Sequence, residues 1–484
     1  MTDKTTILPG FVGHARELTL LAGELDSVRE SGQGRFILVE GRRRVGKSWL
    51  VEEFLGRHGL SNVFFTAIRN APDQDLPRFA EALAQSSLPV DARSPGVRFT
   101  HWEAALTAAA LGATRDRPSV IVIDEFPYLG EAGDDQARAV ESMFSAVWER
   151  RLSRLPIILI VVGSDLAVME RLTEYGRPLY DRPTRQIVVD PLTPRDVATI
   201  AGLEPAAAFD AYAVFGGLPA FAADWRRAGT LRTFLLEALA HPDSTFVNSA
   251  VRILDAEFPA KAQPRVVLSA IGHGERTSKT ISSAAAIPAS NLDRSLKLLS
   301  EKRVVRIEEP LSARRLRAPR YSIADPYLRF WLRFVEPALP EIERLRTEHV
   351  VERIVASWPD ARGRAIEPIV RAALERLLPD DRLPGAVCVG SYWTRTNEPE
   401  IDLVGADTRA APARVGFIGS IKWREREPFD AEDLEPIIAA GVQVPGVVPG
   451  TPLVAVSRTG FAPGITKLAA AYGPSELLAA YPSG

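Results

Sequence analysis

Gly41-Arg42-Arg43-Arg44-Val45-Gly46-Lys47-Ser48 is the stretch on which the fold turns. An apolar run, Arg35-Phe36-Ile37-Leu38-Val39-Glu40, leads into it, and a helical pattern from Lys47 to about Arg57 leads out. The spacing G-x-x-x-x-G-K-[ST] between a strand and a helix describes a phosphate-binding loop. Its glycines let backbone N–H groups turn inward around phosphate oxygens, and the helix N-terminus adds favourable partial charge. Lys47 is expected to reach the β- and γ-phosphates, and the Ser48 hydroxyl to ligate Mg²⁺.

A second run, Val120-Ile121-Val122-Ile123-Asp124-Glu125, ends in two acids. A carboxylate at the end of a buried strand lies beside the phosphate loop in a parallel sheet. Asp124 is expected to hold the Mg²⁺ shell through water, and Glu125 to act as general base on the attacking water. The run Pro156–Gly163 ends in Gly163-Ser164-Asp165. Ser164 could lie between the loop and the acidic strand, or it could simply cap the helix 165–172. Arg177, Arg182 and Arg185 follow; one of them could neutralise transition-state charge, or all could be solvated.

Outward from this core, apolar strand-length runs alternate with helical periods as far as Arg185–Asp190, the pattern of a parallel sheet covered on both faces. From Thr193 the pattern becomes helical and rich in alanine. Thr277–Ala286 and Ser290–Lys302 then read as two helices, followed by strands at Val304–Glu308 and near Tyr321–Ile323. Two helices and a hairpin make a winged helix-turn-helix pattern. From about Glu341 the chain opens with helices and continues with strands near Ala386–Gly390, Glu400–Gly405 and Arg414–Ile421. The expected class is α/β: a P-loop NTPase core (1–192), a helical lid (193–255), a winged helix (256–338) and a C-terminal α/β domain (339–484).

The bulk composition narrows the function classes. The chain has 484 residues, enough for several domains, and a formal net charge of −2, so any basic surface must be local. Cys388 is the only cysteine, which excludes an intrachain disulfide and a cysteine zinc cluster and suits a reducing cytoplasm. No apolar run reaches the ~20 residues needed to span a bilayer. A cytoplasmic location without membrane association is therefore expected.

The arginine-rich loop, preceded by Phe11-Val12-Gly13-His14-Ala15-Arg16-Glu17-Leu18, resembles the archaeal-type ATPases within the STAND and AAA-like P-loop ATPases. Asp124-Glu125-Phe126-Pro127-Tyr128-Leu129 is similar to the D-E-F ending of their acidic strand. The resemblance implies ATP as the nucleotide and a sensor strand between the two nucleotide-binding strands. It also implies that Val12 and Gly13 lie near the adenine, with His14 in place of the usual arginine. The nucleotide-binding set would then run from Gly41 to Trp49. Gly217-Leu218-Pro219 resembles the lid motif whose proline, here Pro219, lies against the base. Slow turnover and self-association, or a protein partner, are what such a family would imply.

The tail resembles the restriction-endonuclease-like domain often fused to these ATPases. That resemblance assigns Glu367, Asp402 and Lys422 to a nuclease-like site, on a helix and two strands. Ser420 stands where the pattern wants an acid. Hard divalent cations favour carboxylates, so the tail is expected to be a degenerate, non-cleaving module. Glu367 or Glu400 could supply the missing charge if turned inward, which would make the chain an ATP-regulated nuclease instead.

Between residues 293 and 320 stand nine Lys or Arg against four acids. Duplex DNA is the expected partner, with Arg294 and Lys297 on the recognition helix and Arg314, Arg315 and Arg317 on the wing. The helical-period aromatics Tyr327, Phe330, Trp331 and Phe334 read as core rather than as a stacking platform. The function expected is an ATP-driven switch acting on the winged helix and tail; a DNA-binding transcriptional or defence regulator with slow ATP turnover is the other reading.

Overall fold

The computed structural model describes residues 10–68, 74–89, 93, 96–130, 133–258, 262–314, 316–410 and 412–482. It divides after Pro191 into two compact units.

In the first unit, strands Arg35–Glu40 (β1), Ser61–Thr66 (β2), Ser119–Asp124 (β3), Ile157–Gly163 (β4) and Arg185–Val188 (β5) form one sheet, ordered β2-β3-β4-β1-β5. All its pairings are parallel. Every residue of β3 and β4 is buried, which is why both read as unbroken apolar runs rather than alternating ones. Helices close over Phe36, Ile121 and Leu159, among them Asp134–Arg150, which contributes Phe144 and Trp148. The insertion of β4 between β1 and β3 matters most for the site. It places Glu40, Asp124 and Gly163 at neighbouring carboxyl ends.

The second unit opens with helices Pro194–Ala201, Pro205–Phe215 and Pro219–Ala228, each started by a proline whose missing N–H costs nothing there. Gly217 is required by packing: a Cβ there would meet the Leu192 carbonyl oxygen at 2.1 Å. Helices Gln263–Gly272, Ser278–Ala285 and Ala289–Glu301 follow, then an antiparallel hairpin of Val305–Glu308 (β6) and Arg320–Ile323 (β7). Thr277 caps the second of these helices, accepting from the Thr280 N–H. The aromatic stripe is core: Tyr327 OH donates to the Phe246 carbonyl at 2.5 Å, and Trp331 Nε1 to that of Val247 at 3.0 Å.

The tail is a helix, Thr347–Arg376, beside a mixed sheet. Its strands are Cys388–Trp393 (β8), Glu400–Ala406 (β9), Val415–Lys422 (β10), Leu453–Ser457 (β11) and Ala470–Tyr472 (β12), ordered β12-β11-β10-β9-β8. The last two strands have five and three residues and carry no readable alternation.

The loop between β6 and β7 departs from a free wing tip. Leu311 is buried in the tail's core with Tyr392, Ile401 and Phe429, and Leu316 packs against the same cluster. Leu311 N–H donates to the Ser391 carbonyl at 2.9 Å, and Trp393 Nε1 to that of Ala318 at 2.8 Å. Leu311 holds the loop on the sheet, since full burial of such a side chain is worth ~2 kcal/mol, and the half-buried Leu316 adds to it.

Candidate nucleotide site

The phosphate loop has the backbone its glycines permit. Gly46 has φ 102°, and Arg44 adopts φ 68°, a left-handed conformation rare outside glycine. Gly41 is confined by its neighbour: a Cβ would stand 2.4 Å from the Val189 carbonyl oxygen. Gly41→Ala is therefore expected to shift the loop entrance and to weaken nucleotide binding about tenfold or more. ATP titration of the variant by calorimetry checks this; unchanged affinity would refute the packing argument.

Lys47 is buried and donates to the carbonyl oxygens of Gly41 at 2.9 Å and Arg42 at 2.8 Å. Burial lowers its amine to about 8, against the opposing pull of Glu125 and Asp124. A desolvated amine in the first turn of a helix suits a phosphate, whose charge would offset that burial. Ser48 Oγ donates to Asp124 Oδ2 at 2.9 Å, so the two expected Mg²⁺ holders meet directly. Burial raises the Asp124 carboxyl, and the Ser48 hydrogen bond opposes the rise.

Glu125 has φ 53°, a backbone state costing roughly 1–2 kcal/mol for a residue with a side chain. Its Oε1 accepts from Ser164 Oγ at 2.8 Å. Ser164 is thus the bridge between β4 and the acidic strand, and Asp165 is the helix cap, accepting from the Val168 N–H. The three arginines considered as transition-state cations are engaged elsewhere. Arg177 pairs with Glu141 and Asp134, Arg182 with Glu149, and Arg185 with Glu24.

The segment around Val12 and Gly13 runs beside the loop. His14 Nε2 lies 3.3 Å from the Val45 carbonyl, and Phe11 stands edge-on to Trp49 with centroids 4.9 Å apart. The sequence reading missed two participants. Arg43 donates to the Tyr128 hydroxyl, which ties the loop to the segment after the acidic strand. Glu52 is held above the usual carboxylate range by burial and then by Asp124. Tyr128 was visible only as part of the Phe126–Leu129 ending. Glu52 is one turn beyond Ser48, a period that carries no motif. Pro219 is buried at the start of its helix in the second unit.

In the tail, Asp402 and Lys422 lie on neighbouring strands, each with protein partners. Asp402 Oδ2 accepts from Ser420 Oγ at 2.7 Å and from the Ile421 N–H at 3.0 Å. Lys422 Nζ lies 3.7 Å from Asp433 Oδ1. Glu367 pairs with Arg371 at 3.5 Å, and its surroundings push it up to about 7 through burial. Glu400 does not make up the missing acid, because Arg320 takes both of its oxygens. Among the described residues, no group of three His, Cys, Asp or Glu is placed to hold a metal.

Of the expected DNA contacts, Arg294, Lys297, Arg314 and Arg317 are exposed, with Lys297 3.8 Å from Glu301. Arg315 lies outside the described residues. Among the described residues, no helix is long and apolar enough to cross a membrane.

A parallel sheet with this loop, an acidic strand and an intervening strand defines a P-loop ATPase domain. Residues 15–220 match the family of ATPase domains found predominantly in Archaea, and residues 331–434 match a family of archaeal and bacterial proteins of unknown function. The first match spans the phosphate loop and the acidic strand end, and the second spans Glu367, Asp402 and Lys422. No curated protein matches the chain. Similar solved structures include a Walker-type ATPase of Pyrococcus abyssi, at 18% identity over 67% of this chain and 96% of that one, TM-score 0.49. The ORC2 protein of Aeropyrum pernix aligns at 14% identity over 73% and 98%, TM-score 0.45. The ORC1 protein of the same organism, solved in complex with DNA, aligns at 14% over 70% and 97%, TM-score 0.33.

Proposed function

We propose that the chain binds ATP with Mg²⁺ and hydrolyses it, and that nucleotide state acts as a switch on the winged helix and tail. The observation that carries the catalytic part is the paired hydrogen bonding Ser48–Asp124 and Ser164–Glu125, whose two carboxylates both act on the buried Lys47. Lys47 would hold the β- and γ-phosphates once its bonds to the loop carbonyls are exchanged for phosphate oxygens. Ser48 and Asp124 would hold Mg²⁺, which when bound neutralises charge on the phosphoryl oxygens. Glu125 takes the proton of the attacking water, and Ser164 keeps its carboxylate turned toward the loop. Single-turnover hydrolysis by the purified chain tests this; ATP that binds but is never cleaved would reduce the protein to a nucleotide-stabilised scaffold.

Along the second unit, the division into lid (193–255), winged helix (256–338) and restriction-endonuclease-like tail (339–484) is part of the same proposal. The tail is read as a pseudo-nuclease, since Ser420, a neutral hydroxyl that donates to Asp402, occupies the acid's place. Metal-dependent nicking of DNA, lost in Asp402→Ala, would restore the nuclease reading.

Duplex DNA as partner rests on the exposed Arg294, Lys297, Arg314 and Arg317. If they contact phosphates, replacing all four by Ala should flatten the slope of log affinity against log salt by up to about 3–4. An unchanged slope would remove DNA from the proposal.

A further inference from the structure

Within the second unit, a cavity of about 110 Å³ opens between the β6–β7 hairpin and the helix Thr347–Arg376. This is room for several waters or one tetrahedral oxyanion. Arginines dominate its wall. Two of them are neutralised: Arg320 grips Glu400, and Arg371 lies 3.5 Å from Glu367 and 3.8 Å from Glu308. Three more, Arg276, Arg329 and Arg364, also line it, and among the described residues none has a carboxylate within 4 Å.

These cations face one another. Burial works against the charge of Arg276, which feels Glu367 first, then Arg364 and Arg320 against it, and Glu400. Burial likewise works against Arg329, which feels Arg306 and Arg276 against Asp325 and Glu367, so the carboxylates offset this repulsion in part. Arg329 donates to the Ala365 carbonyl at 2.8 Å, but its Nε–H is sealed from solvent without a partner. A buried donor left unmade costs ~1–3 kcal/mol, and converging guanidinium groups repel. A fold tolerates both when an anion satisfies them. Aromatic side chains, Trp358 and Phe334, form another part of the wall and would accept the flat or apolar body of an organic ligand.

We infer that this cavity is a binding site for the phosphoryl group of a small molecule, held by Arg276, Arg329 and Arg364 independently of the nucleotide site. Guanidinium forks match phosphate oxygens bidentately, and a recess of this size admits a small ligand rather than a stiff duplex. Ligand binding would clamp the winged-helix segment, through Arg276, to the tail helix, through Arg364. The site would thus be an effector site between these two segments.

The test uses the full chain carrying Lys47→Ala, which silences phosphate binding by the P-loop. Inorganic phosphate and pyrophosphate are titrated by calorimetry at constant ionic strength, with thermal unfolding as a second readout and a 20-base-pair DNA duplex as a separate arm. Pyrophosphate is expected to bind and to raise the melting temperature. Arg276→Gln with Arg364→Gln should weaken it about tenfold or more, and the exposed Arg364→Glu alone should do the same in a protein that remains folded. Arg314→Ala with Arg317→Ala should leave it unchanged. No binding of either probe, or binding indifferent to Arg364→Glu, overturns the proposal. Displacement of pyrophosphate by the duplex, with equal loss of both in Arg364→Glu, would assign the cavity to a nucleic-acid backbone and overturn the small-molecule site.

Discussion

Glu125→Gln is expected to bind ATP as the unaltered chain does and to turn it over about 10²–10⁴-fold more slowly. The amide keeps the volume and can still accept from Ser164 Oγ, so the hydrogen bond to Glu125 Oε1 survives while the proton acceptor is lost. The left-handed backbone at Glu125, φ 53°, fixes where that side chain starts, and Gln tolerates it no worse than Glu. Lys47→Ala should behave differently. It removes the amine that sits among the loop carbonyls and acidic strand end, so ATP affinity itself should collapse. Equilibrium binding and single-turnover rates on the two variants separate these outcomes. Loss of binding in Glu125→Gln, or full turnover in it, would displace Glu125 from the role of base.

The second large effect is expected at a residue no motif marks. Asp210, on the helix Pro205–Phe215, accepts from Trp423 Nε1 at 2.7 Å and from the Arg458 guanidinium at 3.1 and 2.9 Å. Arg362 lies 3.4 Å from the same oxygen and turns its other bond to Glu425. Asp210 therefore gathers three groups, one from the helix Thr347–Arg376 and two from just past the ends of β10 and β11, onto the helix Pro205–Phe215. Asp210→Ala would leave Arg362, whose side chain is only 5% exposed, and the Trp423 N–H short of partners. The destabilisation should be about 3 kcal/mol, the lower end for breaking a buried pair because Arg458 keeps some solvent. Urea unfolding measures it, and Asp210→Ala combined with Arg458→Ala should cost less than the two singles summed. Strict additivity would show that the cluster is not one network.

These two sites differ in how far the sequence discloses them. The P-loop and the acidic strand end were legible because their chemistry is local: one loop, one strand, fixed spacings. The strand order was legible only through the family resemblance, since nothing local in Ile157–Gly163 says that it lies between β1 and β3. Ser164 was ambiguous for a physical reason, as a serine before a helix and a serine beside a carboxylate look alike until Asp165 is seen to take the cap. Asp210 could not be found at all: its partners lie more than 150 residues away in the chain. The loop between β6 and β7 misled because its arginines advertise a charged tip while Leu311 decides where it goes.

That docked loop also bears on how such a chain can be inherited. Leu311 fills a hole in the tail's interior, and a Cβ on Gly390 would meet it at 3.0 Å. The tail's hydrophobic interior is therefore completed by a side chain from before residue 338, so the seam between the two segments is not a line along which either can be lost or exchanged whole. A tail bound in this way serves as ballast for the segment that lends it a leucine, whatever chemistry its own strands carry.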